Sequence, residues 1–183
     1  ESLEPTHHPV LGDGILELTD IKSAPYPGAS VVPEYCRATY DRRLLVGETK
    51  ESVLAPIQEL LDKLMAEDPQ LKAKVSYAVG KEQCYTGNEI TGERFFPGWL
   101  YDEKDEFVQD VKKELEGMGY TPEITQYNFC TNGSHYAGEA GIKTFGLGPS
   151  KENLAHTVNE YIEIDQLTKV TDCYYGVMKA LLK

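Results

Sequence analysis

The sequence predicts an α/β fold. Two observations carry that expectation: apolar residues recur at every second position in several short stretches and at every third or fourth position in three longer ones. A third is their order. The first half reads strand, strand, helix, strand, part of a two-layer α/β unit; the second reads helix, strand, turn, strand, helix. Two short strands with two helices are too few for a complete sheet.

ILELTDI, residues 15–21, reads as the first strand, and SAPYPGAS behind it as a loop rich in Pro, Gly and Ser. YCRATYDRRLL alternates, sending Cys36, Ala38, Tyr40 and Leu44 to a core face and Arg37, Thr39, Asp41 and Arg43 to a wet one. GETKESVLAPIQELLDKLMAE changes period: Val53, Leu54, Ile57, Leu60, Leu61, Leu64 and Met65 form the stripe of an amphipathic helix. Thr49 can cap its start, and Asp68-Pro69 ends it because a residue before Pro avoids the helical region. KAKVSYAVGKEQCY returns to period two, with Val75, Tyr77 and Val79 on one face.

TGNEITGER reads as a polar stretch, and Pro97, Gly98 and Trp99 as a hinge between two domains. Next comes a helix over residues 105–118, with Phe107, Val108, Val111 and Leu115 inward and Gly119 as its C-cap. EITQYNFC reads as a strand, TNGSHYAGEAG as a glycine-rich turn, and IKTFGLG as a short apolar strand. A final helix over residues 165–182 directs Leu167, Val170, Tyr174, Val177, Met178 and Leu181 to the core.

Composition narrows the function. A chain of 183 residues, 40% hydrophobic and 26% charged, can bury the core of one domain or of two small ones. No apolar run reaches the length of a membrane span. The opening ESLEPTHHPVLG has neither the basic start nor the apolar stretch of a signal peptide, so a cytoplasmic location is expected. A net charge of −12 repels nucleic-acid backbones and anionic membranes, and neither is expected as a partner; a local arginine can still hold a small anion. Cys36, Cys84, Cys130 and Cys173 show no CxxC spacing and are expected reduced and half-buried.

Three places can carry chemistry, each with a plainer alternative. His156 follows an apolar stretch and a Gly-Pro turn, where α/β folds place ligands at the carboxyl ends of strands. It is a metal ligand or base, or else a surface histidine. His7 and His8 lie in a polar tail and are expected solvated. TNGSHYAG, with Gly133 and Gly138, lets the backbone approach a ligand or merely turn. Arg43 can clamp a carboxylate in bidentate fashion or sit on a solvated face beside Asp41.

Together these stretches resemble the zinc-dependent metallohydrolase family of aminoacylases, glutamate carboxypeptidases and succinyl-diaminopimelate desuccinylases. SVVPEYCRATYDRRLLVGET resembles a strand of that family's lid, or dimerisation, domain. There a polar residue before V-x-P, more often Asn, is followed thirteen positions on by an arginine that meets the substrate carboxylate; here these are Ser30 and Arg43. FCTNGSHYAGEAGIKTFGLGPSKENLAHTVNEYIEIDQL is similar to the last catalytic stretch. The resemblance implies His156 as a zinc ligand, Asn159 and Glu160 as supporting residues, and Asn132 and Gly133 at the substrate. Where the family's turn usually reads Gly-Gly-Thr-Asp, this chain has Thr-Asn-Gly-Ser, as in a branch of deacetylases and peptidases.

The resemblance implies a two-layer lid-type α/β sandwich over residues 1–97, lacking its first elements. It implies an incomplete portion of a three-layer α/β/α catalytic domain over residues 98–183. The family's His-x-Asp segment, bridging Asp, Glu-Glu pair and next acidic ligand lie upstream of the matched part. The expectation is therefore the C-terminal part of an amide-cleaving enzyme with two zinc ions, other divalent metals being possible, that acts on peptides or N-acyl amino acids. It would be a homodimer when whole, and without its N-terminal half it would be inactive. The alternatives are a non-catalytic dimerisation or interaction module and an unrelated α/β ligand-binding protein.

Overall fold

In the computed structural model, which describes residue 3 and residues 6–182, every ladder is a two-stranded antiparallel ribbon between sequence neighbours. With three α-helices this makes a mixed α/β protein, divided into two compact units, Glu1–Gly98 and Trp99–Lys183.

In the first unit, β1 (His7–His8) and β2 (Gly12–Asp13) form a minimal ribbon. His8 Nδ1 closes its turn by accepting the Val10 and Leu11 N–H groups at 3.1 and 3.2 Å. β3 (Ile15–Ala24) pairs with β4 (Tyr35–Arg43), Ile15 opposite Arg43 and Ala24 opposite Tyr35. Thr19 is an extra residue, a bulge between the pairs Leu18–Tyr40 and Asp20–Thr39, and its hydroxyl donates to the Thr39 carbonyl at 3.1 Å. The bulge decides which residues share a face. Leu18 and Ile21, three positions apart, would oppose each other on a regular strand, and the extra residue returns both to the side of Cys36, Ala38 and Tyr40.

That apolar side was expected to be a core face. It is exposed: Leu18, Ile21 and Tyr40 remain 47–61% accessible, and no described element packs upon the ribbon. The predicted loop SAPYPGAS also begins later than expected, because Ser23 and Ala24 complete the ladder.

α1 (Lys50–Glu67) starts and stops where its caps require. Thr49 and Ser52 satisfy each other's N–H groups in a capping box, and the chain leaves the helix at Asp68 before Pro69. Val53 is buried, and the rest of the stripe is half-buried apart from exposed Leu64. Two later side chains anchor the helix start: Tyr77 donates to the Lys50 carbonyl at 2.8 Å, and Glu93 pairs with the Lys50 ammonium at 2.8 Å.

The expected strand through Val75 and Tyr77 becomes a ladder only at β5 (Val79–Gln83), where it pairs with β6 (Glu89–Glu93). Val79, expected to share their sheltered face, is exposed. The polar stretch is thus the second strand of a hairpin, closed by Cys84 N–H to the Asn88 carbonyl at 2.8 Å.

In the second unit, α2 (Glu106–Gly117) buries Phe107, Val111 and Leu115. Its end is a Schellman motif: Gly119, at φ +90°, donates to Glu116 and Tyr120 donates to Leu115, at 3.0 and 3.1 Å. α3 (Ile164–Leu181) packs upon α2 and buries Val170, Gly176 and Ala180. Val111, Leu115 and Ala180 are the centre of this core, with Met118, Tyr120, Phe145, Cys173 and Val177 around them. Leu167, Tyr174, Met178 and Leu181, expected inward, are exposed, because α2 is the one described helix or strand that packs upon α3.

EITQYNFC and IKTFGLG, expected as strands, form no ladder, for neither finds a partner among the described residues. The glycine-rich turn contains a π-helical turn, Ser134–Glu139. All four cysteines are free, and Cys36 and Cys130 are exposed where half-burial was expected. Among the described residues no helix is long and apolar enough to cross a membrane.

Candidate functional site

The first unit carries Arg43 and Ser30. Arg43 is the last residue of β4, and Asp41 lies two residues back on the same face. Its guanidinium donates to Asp41 Oδ2 at 2.9 Å, with the two side chains 40% and 48% accessible. Its neighbour Arg42 turns to the other face and meets Glu48 at 2.5 Å. Partial burial pushes the Glu48 carboxyl up, but the Leu45 N–H, Arg42 and Thr6 bonds outweigh it and hold it below the ordinary range. Arg42 is thereby committed to structure, while Arg43 holds only an exposed carboxylate. Ser30 lies in the exposed loop before β4. The whole of β4 separates it from Arg43, nine residues at about 3.3 Å each. One small carboxylate cannot touch both within a chain.

The second unit carries the other candidates. Thr131 and Asn132 open the π-helical turn: the Thr131 carbonyl accepts from Ser134 at 3.1 Å, and the Asn132 carbonyl accepts from His135 and Tyr136 at 3.0 and 3.2 Å. Asn132 is exposed, whereas Gly133 is buried beneath Trp99, whose indole lies 2.7 Å from where a Cβ on Gly133 would stand. The close approach that Gly133 permits is therefore made by this ring. His135, beside the buried Ser134, pairs with Glu139 at 2.8 Å.

His156 sits in an exposed loop and adopts φ +60°, as does Asn159; Ser150 is at φ +77°. Left-handed backbone at three non-glycine positions within ten residues is uncommon and is held by surrounding bonds. Here Glu160 Oε2 accepts the His156 N–H at 3.0 Å. The carboxylate thus fixes the histidine's backbone, and its support is not a bond to the ring. The imidazole is exposed and makes no hydrogen bond to the described residues, leaving both nitrogens open.

The model of peptidase family M20/M25/M40 matches residues 15–180. The chain belongs to that family. Among its relatives, the uncharacterized protein YgeY of Escherichia coli (strain K12) is 34% identical over 82% of this chain and 36% of its own. The N-formyl-4-amino-5-aminomethyl-2-methylpyrimidine deformylase of Halalkalibacterium halodurans is 33% identical over 68% of this chain and 28% of its own. The succinyl-diaminopimelate desuccinylase of Hydrogenovibrio crunogenus is 25% identical over 84% and 35%, respectively. The chain thus spans about a third of the length of the curated relatives it matches. No solved structure matches it.

Zinc takes three or four converging nitrogen, oxygen or sulfur ligands. His156 offers one, and among the described residues no three His, Cys, Asp or Glu side chains converge to hold a metal ion. The donors here do not by themselves fit the zinc centre that the family resemblance implies. The pairing of Arg43 with Asp41 is the plainer alternative that the sequence offered, two positions apart on one strand face. Trp99 over Gly133 had no signal, since their contact spans 34 positions of sequence.

Proposed function

We propose that this chain is part of a longer metal-dependent amidohydrolase that removes an acyl group from nitrogen, in peptides or N-acyl amino acids. The observation that carries this reading is the family match over residues 15–180, joined to relatives named for removing formyl and succinyl groups. In this reading residues 1–97 belong to a two-layer lid that dimerises, and residues 98–183 to a three-layer catalytic domain. A cytoplasmic location fits a soluble family of this kind.

The chain's own residues have restricted parts in it. His156 supplies one ligand of a two-zinc centre, and zinc bound there would polarise the scissile carbonyl. Glu160 keeps His156 at its left-handed backbone, and with it the direction of the ring. Asn159, also left-handed, shapes the same loop. Arg43 holds the substrate carboxylate and Asn132 borders the substrate, whereas Ser30 lies a strand's length from Arg43 within a chain and Gly133 is covered by the Trp99 ring. With one donor of the set, the 183 residues alone bind zinc weakly and hydrolyse no N-acyl amino acid.

Metal content by mass spectrometry tests this. A protein of the relatives' full length should hold about two zinc ions per protomer, a two-metal site being the usual clamp for such displacements. His156→Ala there should lose one ion and most turnover. Tight stoichiometric zinc in the 183-residue chain, abolished by His156→Ala, would overturn the reading. A full-length protein without metal or hydrolysis would favour the interaction module instead.

A further inference from the structure

Of the four arginines, Arg42, Arg43 and Arg94 each lie within 4.0 Å of a carboxylate. Arg37 does not. It stands directly opposite Lys22 in the β3–β4 ladder, so two cations face each other where like charges repel. The chain has 30 acidic residues against 18 basic ones, so carboxylates are plentiful. Yet among the described residues neither cation forms an ion pair, and Asp20, two positions before Lys22 on the same face, pairs with neither.

The surroundings are aromatic. Lys22 Nζ stands 5.2 Å from the centroid of the Tyr26 ring, a cation–π contact. Tyr35 is the next residue along the Arg37 face and lies opposite Ala24, whose small side chain leaves room beside the ring. Lys22, Ser23, Ala24, Tyr26, Tyr35 and Arg37 line a surface hollow of about 330 Å³ that contains no acidic side chain. Tyr26 and Tyr35 are 71% and 64% exposed, so both rings are open to whatever enters it.

The geometry points to a binding site at the Ala24–Tyr35 end of the β3–β4 ribbon for a small aryl oxyanion: a carboxylate or phosphate carried on a flat ring. The oxyanion sits between Lys22 and Arg37 and turns their repulsion into charge-assisted hydrogen bonds. The ring lies against Tyr26 and Tyr35, where offset or edge contacts add to the area it buries. Neither charge nor ring suffices alone, because exposed ion pairs are weak and the chain's overall field opposes anions.

The test needs no metal, no turnover and only the 183-residue chain, so it stands or falls independently of the amidohydrolase reading. Phenyl phosphate, benzoate, inorganic phosphate and neutral benzamide are titrated in turn while backbone amide resonances are followed. At least one aryl anion should shift the amides of residues 22–26 and 35–37 saturably, more tightly than inorganic phosphate, while benzamide should not. Whichever of phenyl phosphate and benzoate binds tighter identifies the oxyanion. Lys22→Gln and Arg37→Gln should each weaken binding on the order of threefold with unchanged circular dichroism, the size expected for one exposed charge contact. Tyr35→Leu should weaken the aryl anions and leave inorganic phosphate alone. The proposal is overturned by the absence of saturable shifts, by equal binding to both Gln variants and the parent chain, or by inorganic phosphate matching both aryl anions.

Discussion

Arg43 is held by Asp41 at 2.9 Å, so a substrate carboxylate reaching it has to displace a carboxylate already there. The exchange is cheap in one direction. An exposed ion pair is worth about 0.2–1 kcal/mol, whereas a bidentate charge-assisted contact sheltered by substrate is worth about 1.5–3 kcal/mol. The proposed clamp therefore predicts opposite effects at neighbouring positions of a full-length protein. Arg43→Ala should raise KM for substrates with a free carboxylate by roughly 10- to 100-fold and leave kcat nearly unchanged. Asp41→Asn should lower that KM by up to about fivefold, the worth of the competing pair. Steady-state kinetics on a carboxylate substrate and its amide counterpart check both, and an unmoved KM in the two variants would remove Arg43 from the substrate.

At the scale of elements, the Gly133–Trp99 contact offers a direct probe, because Trp99 is the protein's single tryptophan. A Cβ at Gly133 would meet the indole at 2.7 Å, and a rigid ring cannot yield as a flexible side chain would. Gly133→Ala should displace the ring, shift its emission to the red, and destabilise the second unit by about 1–3 kcal/mol, as overpacking does. Fluorescence-detected urea unfolding reads both, and unchanged emission would show that the contact does not form in solution. The three helices were legible because their signals are local: Thr49 and Asp68 bound α1, Gly119 ends α2, and the stripes supply the period. The strands were legible only in part: β3 and β4 lie where their residues were read as strands, but a ladder needs a partner that the strand's own residues do not name. Ala73, Val75 and Tyr77 do alternate as half-buried positions between exposed ones, without pairing. β6 pairs although all five of its residues are exposed, so it had no alternation to read. At the candidate site, His156 was legible as a loop histidine after Gly-Pro. Its left-handed backbone and the Glu160 bond to its N–H were not, since only the folded loop brings them together.

For the molecule as a whole, two large terms oppose each other. Apolar surface lies open on the β3–β4 ribbon at Leu18 and Ile21, and on α3 at Leu167 and Met178. Surface of this kind drives association. A net charge of −12 resists it by repulsion between copies. Salt separates the two, because the screening length falls from about 10 Å at 0.1 M to about 3 Å at 1 M while burial of apolar groups is not screened. The 183-residue chain should therefore sediment as larger species in about 1 M sodium chloride than in about 0.1 M. A shift to smaller species at high salt would mean that charge attraction, and not apolar surface, joins the copies.

The pairing of every strand with its neighbour in sequence also sets an order of events during synthesis. The β5–β6 hairpin closes over residues 84–88 and the β3–β4 hairpin over residues 25–34, short loops whose closure entropy is small. Such hairpins form in about 1–10 μs, far faster than a ribosome adds the next residue. The first unit's ribbons can therefore take shape as they emerge. The second core cannot: 46 residues, 118–163, separate α2 from α3. Val111 and Leu115 must wait on the nascent chain, without their partner on α3, until Ala180 has been made.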